Sequence, residues 1–330
     1  MSADPYAYTF PHSDLLSVGG LNPIDLQMIF TRAEEHFARN QGEDKKLGTL
    51  KGLTQINLFF EASTRTLASF ELAGKRLGAD VVNFSAGNAS IKKGESLADT
   101  ALTLAAMKPD LLVVRHGSAG AARFFAQTTG IATVNAGDGA HEHPTQALLD
   151  SFTLIQRWGD VAGRRIAIVG DILHSRVARS NIALLNLMHA EVRVCGPATL
   201  LPGDIDQWGV SVFHDLDQAL EGCDAVMTLR IQRERMSNGL LASEREYGAL
   251  YGLNHQRLEH AKPDCLIMHP GPMNRNVEIS SALADDPDIS LILDQVESGV
   301  AVRMAILELL AQKAPSMTWQ DRVNYREGDA

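Results

Sequence analysis

The sequence predicts an α/β protein built from two doubly wound parallel-sheet domains. Short apolar runs rich in strand formers recur along the chain, and most are followed by a stretch with helical spacing. That alternation, with strands apolar on both faces, is the pattern of parallel sheets covered by helices on each side. The 330 residues are enough for two domains of ordinary size, and 45% hydrophobic with 21% charged residues is a globular composition.

The elements follow in order. Asn22-Pro23 should open an amphipathic helix with Leu26, Phe30, Ala33 and Phe37 on one face. Ile56 to Phe60 reads as a strand, Glu61-Ala62 as a turn, and Ser63 as the N-cap of a helix ending at Gly78. Asp80 to Phe84 is a strand, 85–95 a polar loop, and Ser96 to Met107 a helix stopped by Pro109. Leu111 to Val114 is a strand leading into Arg115-His116; a helix over 119–128 and a strand over 131–135 follow. Pro144 suits the first turn of a helix running to about Trp158. The second half repeats the pattern, with strands at 165–169, 191–195, 210–213, 225–229 and 266–269 and a closing helix over 296–312.

Composition excludes several classes. A net charge of −10 argues against a nucleic-acid binder, and no apolar run approaches a membrane span. The first residues lack the basic start and apolar core of a signal peptide, so the cytoplasm is the expected compartment. Cys195, Cys223 and Cys265 lie in apolar segments without zinc or disulfide spacing, and read as small buried residues. His141 and His143 lack a third ligand at zinc spacing, so no metal is expected.

In open α/β sheets ligands sit beyond the carboxyl ends of the strands. Ser63, Thr64, Arg65 and Thr66 occupy such a place, where free N–H groups, three hydroxyls and a guanidinium suit a phosphate. Arg115, His143, Asp171, Arg230 and His269 stand at comparable positions. The segment RIAIVGD resembles the first strand of a dinucleotide fold, yet no G-x-G-x-x-G turn follows it, which argues against a nicotinamide enzyme. Arg176 and Arg230 offer two carboxylate-binding positions instead. A phosphate site in one domain and a carboxylate site in the other, facing each other across a cleft, suit group transfer from a phosphorylated donor to an acidic acceptor.

Eight segments together resemble the aspartate/ornithine carbamoyltransferase family. They are FFEASTRT at 59–66, SIKKGES at 90–96, RH at 115–116, HPTQALLD at 143–150, GDILHSRVARS at 170–180, RIQRER at 230–235, MHPGPMNR at 268–275 and VAVRMA at 300–305. The chain is more similar to the aspartate branch: it has His269-Pro270-Gly271-Pro272 where ornithine enzymes carry His-Cys-Leu-Pro, and two acceptor-side arginines would repel an ornithine ammonium.

The resemblance implies transfer of the carbamoyl group of carbamoyl phosphate to the α-amino group of L-aspartate, an early step of pyrimidine synthesis, with no cofactor. It implies that Ser63, Thr64, Arg65, Thr66 and Arg115 hold the phosphate, while Thr66, Arg115 and His143 polarise the carbonyl. Gln146 and the carbonyls near Pro270 and Gly271 would bind the carbamoyl amino group. Arg176, Arg230, Gln232, Gly271 and Pro272 would meet aspartate, with Glu61, Glu234 and Arg235 supporting closure. Ser90 and Lys93 would reach a neighbouring subunit's site, making a homotrimer with shared active sites.

The family also implies that the last helix returns to the first domain. The expected domains are then 1–144 with 296–330 for carbamoyl phosphate, and 145–295 for aspartate. Another amino-acid acceptor, an inactive scaffold, a regulatory chain and a dihydroorotase-like partner remain open at this point. The run from Met1 to His12 is longer than a minimal catalytic chain needs and is expected to be either disordered or an assembly contact.

Overall fold

The computed structural model describes residues 9–85, 96–232 and 243–312. Ser90, Lys93, Glu234 and Arg235 lie outside the described residues, as do the first eight.

The described residues form two compact units: those up to Thr145 together with those from Glu297 onward, and Gln146–Val296. In the first unit α1 (Pro23–Gln41) precedes β1 (Thr54–Phe59), α2 (Thr64–Leu77), β2 (Asp80–Ser85), α3 (Leu97–Ala106), β3 (Leu111–His116), α4 (Ala121–Thr129) and β4 (Ala132–Asp138). The sheet is wholly parallel, in the order β2-β1-β3-β4. Helix α5 (Pro144–Trp158) carries the chain into the second unit.

There β5 (Arg165–Val169), α6 (Arg176–Leu187), β6 (Glu191–Cys195), β7 (Ser211–Phe213), α7 (Leu216–Leu220) and β8 (Ala225–Thr228) are followed by α8 (Glu244–Tyr251), α9 (His255–Leu258), β9 (Leu266–Met268) and α10 (Ser281–Ala284). This sheet is also all parallel, in the order β7-β6-β5-β8-β9. Helix α11 (Ile292–Ala311) starts in the second unit and ends in the first.

Strand residues alternate between two covered faces, as the period of a strand requires. In the second sheet Ile166, Ile168, Val192, Val194 and Met227 pack with Ile182 and Leu185 of α6. Ala167, Val169, Cys195, Val226 and Ile267 pack on the opposite face with Leu216, Ala219 and Tyr247. In the first sheet Ile56, Leu58, Leu112 and Val114 meet Leu104 of α3 and Phe125 of α4.

The other face of the first sheet carries a buried amide. Gln55 donates from Nε2 to the Phe70 carbonyl of α2 at 3.1 Å and to Asn57 Oδ1 at 2.7 Å. Gly74 makes this approach possible: a Cβ there would lie 2.1 Å from Gln55 Oε1. Arg303 of α11 ties the same helix down, donating to Ser69 Oγ at 2.8 Å with its guanidinium 5.0 Å from the centre of the Phe70 ring. The middle of α2 is thus held by contacts along its inner face.

Two expectations shift. The buried stripe of α1 is Leu26, Ile29, Ala33, His36 and Asn40, leaving Phe30 and Phe37 half-buried at its edge. His36 turns inward because Glu308 of α11 meets its Nε2 at 2.8 Å. Helix α11 begins at Ile292, four residues before the expected start, since Asp294 is a first-turn acid and Gln295 is held by buried partners. The three cysteines are buried and free, and burial pushes the thiols of Cys195 and Cys223 up to about 12 and about 11. No helix among the described residues is long and apolar enough to cross a membrane.

Candidate active site

Each sheet has one point where the strand order reverses, between β1 and β3 in the first and between β5 and β8 in the second. Crevices open at such points, beyond the carboxyl ends of the two strands.

In the first unit Phe59 pairs with Arg115, and Phe60 N–H donates to the Arg115 carbonyl at 2.8 Å. Glu61 follows β1 and approaches Arg115, its Oε2 3.8 Å from Nε. Arg115 donates from Nη1 to the Ala136 carbonyl at 3.1 Å, and only 14% of its side chain is exposed. Ser63 sits at the N-cap of α2 in extended backbone, but its side chain accepts no capping hydrogen bond. Its hydroxyl donates to Thr66 Oγ1 at 3.0 Å instead. The first-turn N–H groups are therefore not engaged by the cap side chain, and the helix dipole adds positive potential there. Thr64 and Arg65 are exposed and Thr66 is buried, so donors at several depths surround one turn.

His143 lies just before α5 and is buried. The loop leading to it is tied to Asp138, whose carboxylate accepts from the backbone N–H of Gly120 at 2.6 Å and of Glu142 at 3.1 Å, and from Asn135 Nδ2 at 2.8 Å. His116, beside Arg115, stacks edge-on against Phe60, with centroids 4.8 Å apart. Burial lowers its pKa, against the pull of Glu61.

In the second unit Val169 pairs with Thr228, and Leu229 N–H donates to the Val169 carbonyl at 2.8 Å. Beyond β5, Asp171 is fully buried and accepts from His174 Nδ1 at 2.9 Å and from the His174 N–H at 3.1 Å. Ser175 caps α6 by accepting from Ala178 N–H at 3.1 Å, which sets Arg176 in the first turn, buried. Beyond β8 come Arg230 and Gln232, both half-buried; the Gln232 N–H lies 3.4 Å from Asp171 Oδ2. One carboxylate thus touches the segments following both strands of the switch point.

After β9, His269 is buried, and its ring spans two partners. Gly271 N–H donates to Nδ1 at 2.8 Å, which leaves the proton on Nε2, 3.3 Å from Glu278 Oε1. Glu278 Oε1 also accepts from Asn274 N–H. The loop carrying Pro270, Gly271 and Pro272 is closed onto this pair. Gln146, in the first turn of α5, donates from Nε2 to Asp150 Oδ1 at 2.8 Å. Among the described residues no group of three or more side chains could hold a metal ion.

Comparison with known proteins accounts for both halves of the pattern. Residues 13–156 match the model of the aspartate/ornithine carbamoyltransferase carbamoyl-P binding domain, and residues 162–310 match that of the Asp/Orn binding domain. The chain belongs to the aspartate/ornithine carbamoyltransferase family.

Within it, the aspartate carbamoyltransferase catalytic subunit of Maricaulis maris is 69% identical over 310 residues, covering 94% of this chain and 97% of that one. The structure of aspartate transcarbamoylase from Trypanosoma cruzi in complex with carbamoyl phosphate and aspartate is 33% identical. It superposes with a TM-score of 0.80 over 89% of this chain and 95% of that one. Ornithine carbamoyltransferase from Pyrococcus furiosus also reaches 0.80, at 27% identity, over 91% and 97%. Backbone likeness therefore does not separate the two acceptors, and side chains must do so.

Sequence reasoning located the strand-end residues and missed those that hold them. Asp138, Asp150, Asn181, Glu278 and Gln295 are buried polar residues within helical or loop patterns, and only the folded chain shows what they meet, whether a neighbour three residues away, as for Asp138 and Asn135, or one 145 residues away, as for Asp150 and Gln295. His269 was legible as a strand-end residue, but its link to Glu278 was not.

Proposed function

We propose that this chain catalyses transfer of the carbamoyl group from carbamoyl phosphate to the α-amino nitrogen of L-aspartate, giving N-carbamoyl-L-aspartate and phosphate. The observation that carries the choice of acceptor is the placement of two arginines, Arg176 and Arg230, just beyond the paired strands β5 and β8 at the second switch point. Two guanidiniums match the two carboxylates of aspartate and disfavour an ammonium side chain. The 69% identity to a chain named for aspartate points the same way.

In this reading residues 1–144 with 296–330 bind carbamoyl phosphate, and 145–295 bind aspartate. The turn Ser63-Thr64-Arg65-Thr66 and Arg115 take the phosphate. Thr66, Arg115 and His143 donate to the carbonyl oxygen, which gains negative charge as the neutral amine attacks carbon. The C–N bond forms, the bond from carbon to the phosphate oxygen breaks, and the phosphate departs carrying the proton that the attacking nitrogen gives up. Gln146 and the Pro270–Gly271 carbonyls receive the carbamoyl amino group, whose N–H bonds need acceptors. Gln232 and Pro272 complete the aspartate contacts; Glu61, Glu234 and Arg235 support closure. Ser90 and Lys93 come from a neighbouring copy in a cytoplasmic homotrimer. Much of the acceleration comes from orientation and preorganised charge.

The test is product formation from carbamoyl phosphate with aspartate and ornithine in parallel. Turnover with aspartate alone is expected, and turnover with ornithine alone overturns the roles of Arg176 and Arg230. For the shared sites, mixtures of inactive Lys93→Ala and His143→Ala chains should recover activity; no recovery would remove that part of the reading.

A further inference from the structure

One carboxylate, Asp150, stands at the centre of a polar network buried in the second unit. It is 1% exposed, on α5 one turn after Gln146. Its Oδ1 accepts from Gln146 Nε2 at 2.8 Å and from Gln295 Nε2 of α11 at 2.7 Å, and its Oδ2 accepts from Asn181 Nδ2 of α6 at 2.8 Å. Gln295 passes the arrangement on, since its Oε1 accepts the His269 N–H at 2.9 Å. His269 in turn accepts from Gly271 N–H and faces Glu278. Five of these residues (Asp150, Asn181, His269, Glu278 and Gln295) are at most 3% exposed, and Gln146 is 8% exposed.

An amide side chain is ambiguous: rotated by half a turn, it exchanges a donor for an acceptor with almost no change in shape. A carboxylate removes the ambiguity because it only accepts. Asp150 therefore fixes the Nε2 end of Gln146 toward itself and leaves the Oε1 end for a ligand, where it can accept an N–H but cannot donate. The same oxygen of Asp150 orients Gln295, which is why Gln295 Oε1 is available to the backbone of His269. A single charge thus sets the polarity of Gln146 and, through Gln295 and His269, anchors the Pro270–Gly271 loop. Leaving any of these buried groups mismatched is costly, so the polarity is rigid.

We propose that Asp150 is a positioning residue that makes the site select an acyl phosphate bearing an amino group over one bearing a methyl group. This rests on the reading that Gln146 and the Pro270–Gly271 carbonyls meet the carbamoyl amino group. The probe is acetyl phosphate, which has nearly the shape of carbamoyl phosphate and carries CH₃ in place of NH₂. The quantity measured is the inhibition constant of acetyl phosphate divided by the KM of carbamoyl phosphate, at saturating aspartate, on the intact protein.

Asp150→Asn, which introduces a donor where three donors converge, should lower that ratio about tenfold. The inhibition constant of acetyl phosphate itself should move by no more than about twofold, since phosphate binding is untouched. A merely structural role would weaken both compounds together, and that outcome overturns the proposal, as does an unchanged ratio. Gln146→Ala separates the two levels of the argument. If it collapses the ratio and Asp150→Asn does not, the inference about Asp150 fails alone. If Gln146→Ala leaves the ratio intact, the underlying role of Gln146 fails and takes the inference with it. Should Asp150→Asn not fold, as judged by thermal melting, Gln295→Leu keeps Asp150 in place and cuts the branch to His269. It should lower the ratio about threefold, and no change there overturns the proposal.

Discussion

Beyond β1 the groups offered to a ligand are hydroxyls, a guanidinium on an exposed residue and the N–H groups of a helix whose cap residue bonds elsewhere. Beyond β5 the helix is capped by Ser175, its first arginine is buried, and a fully buried aspartate ties His174 and Gln232 into one piece. Both arrangements occupy the switch point of a parallel sheet, yet they differ in what the protein has already satisfied. The first leaves its helix N-terminus open, which suits a phosphate that carries several acceptors and most of the ligand charge. The second uses protein carboxylates to fix positions before any ligand arrives, which suits discrimination among small acceptors. A common sheet geometry therefore supports two strategies, one based on available donors and one on fixed orientation.

The comparison is tested most severely at Arg65. It is exposed, so Arg65→Ala should leave the melting temperature unchanged while kcat/KM falls about a thousandfold, roughly 4 kcal/mol of lost transition-state stabilisation. Steady-state kinetics beside a thermal melt decides it. Loss of fold together with activity would show that the turn is structural.

The second unit should respond differently. Arg230→Ala is expected to raise the KM for aspartate about a hundredfold, roughly 3 kcal/mol, and to leave the affinity for carbamoyl phosphate unchanged. Arg176→Ala should have a similar effect on aspartate and in addition cost about 2 kcal/mol of stability, because Arg176 is 4% exposed and fixed in the first turn of α6. Urea unfolding of the two variants separates them, and equal stabilities would erase the contrast between orientation and availability.

Legibility followed the same division. The strands, the helices and the residues at strand ends could be read from local patterning, because a parallel strand is a short apolar run and a ligand group must follow it. Ser63 to Thr66 and Arg115 were visible for that reason. Partners distant in sequence were not visible. Gly74 is a glycine inside a helical pattern, and nothing local shows that it makes room for Gln55. Asp150 looked like the polar end of a motif, and its meeting with Gln295, 145 residues away, is a tertiary fact. Phe30 and Phe37 misled because a buried histidine with a carboxylate partner took the inner face of α1.

Gly74 gives the third test. A methyl group there would press on Gln55 Oε1, and also on Val81 Cγ2 at 2.8 Å, so α2 would have to move away from β1. Gly74→Ala should cost about 2 kcal/mol despite the better helix propensity of alanine, and activity should fall with it because the helix start moves. A more stable variant would mean that Gln55 simply turns aside.

The smallest effect lies at the end of the second sheet away from the site, where strand polarity has no ligand to bind. Asp224, just before β8 and 5% exposed, accepts from Lys262 Nζ at 2.7 Å, Arg165 N–H at 2.9 Å and Arg164 Nη1 at 3.0 Å. Burial alone would raise its pKa, but these donors outweigh it and hold the carboxyl below its ordinary value. A depressed carboxylate stabilises the fold at pH values above the unfolded pKa, about 3.9, and that contribution disappears as pH falls through the lower folded value. Both cations reach solvent, which limits the contribution to about 1–2 kcal/mol. Asp224→Asn should therefore be less stable than the parent at pH 7 by about that amount, and the gap should close between pH 7 and an acidic pH at which the carboxyl is protonated, with kcat/KM at pH 7 unchanged. Melts at the two pH values measure it. A gap independent of pH would assign the loss to packing, and a loss of activity would mean that the two ends of the sheet are not independent.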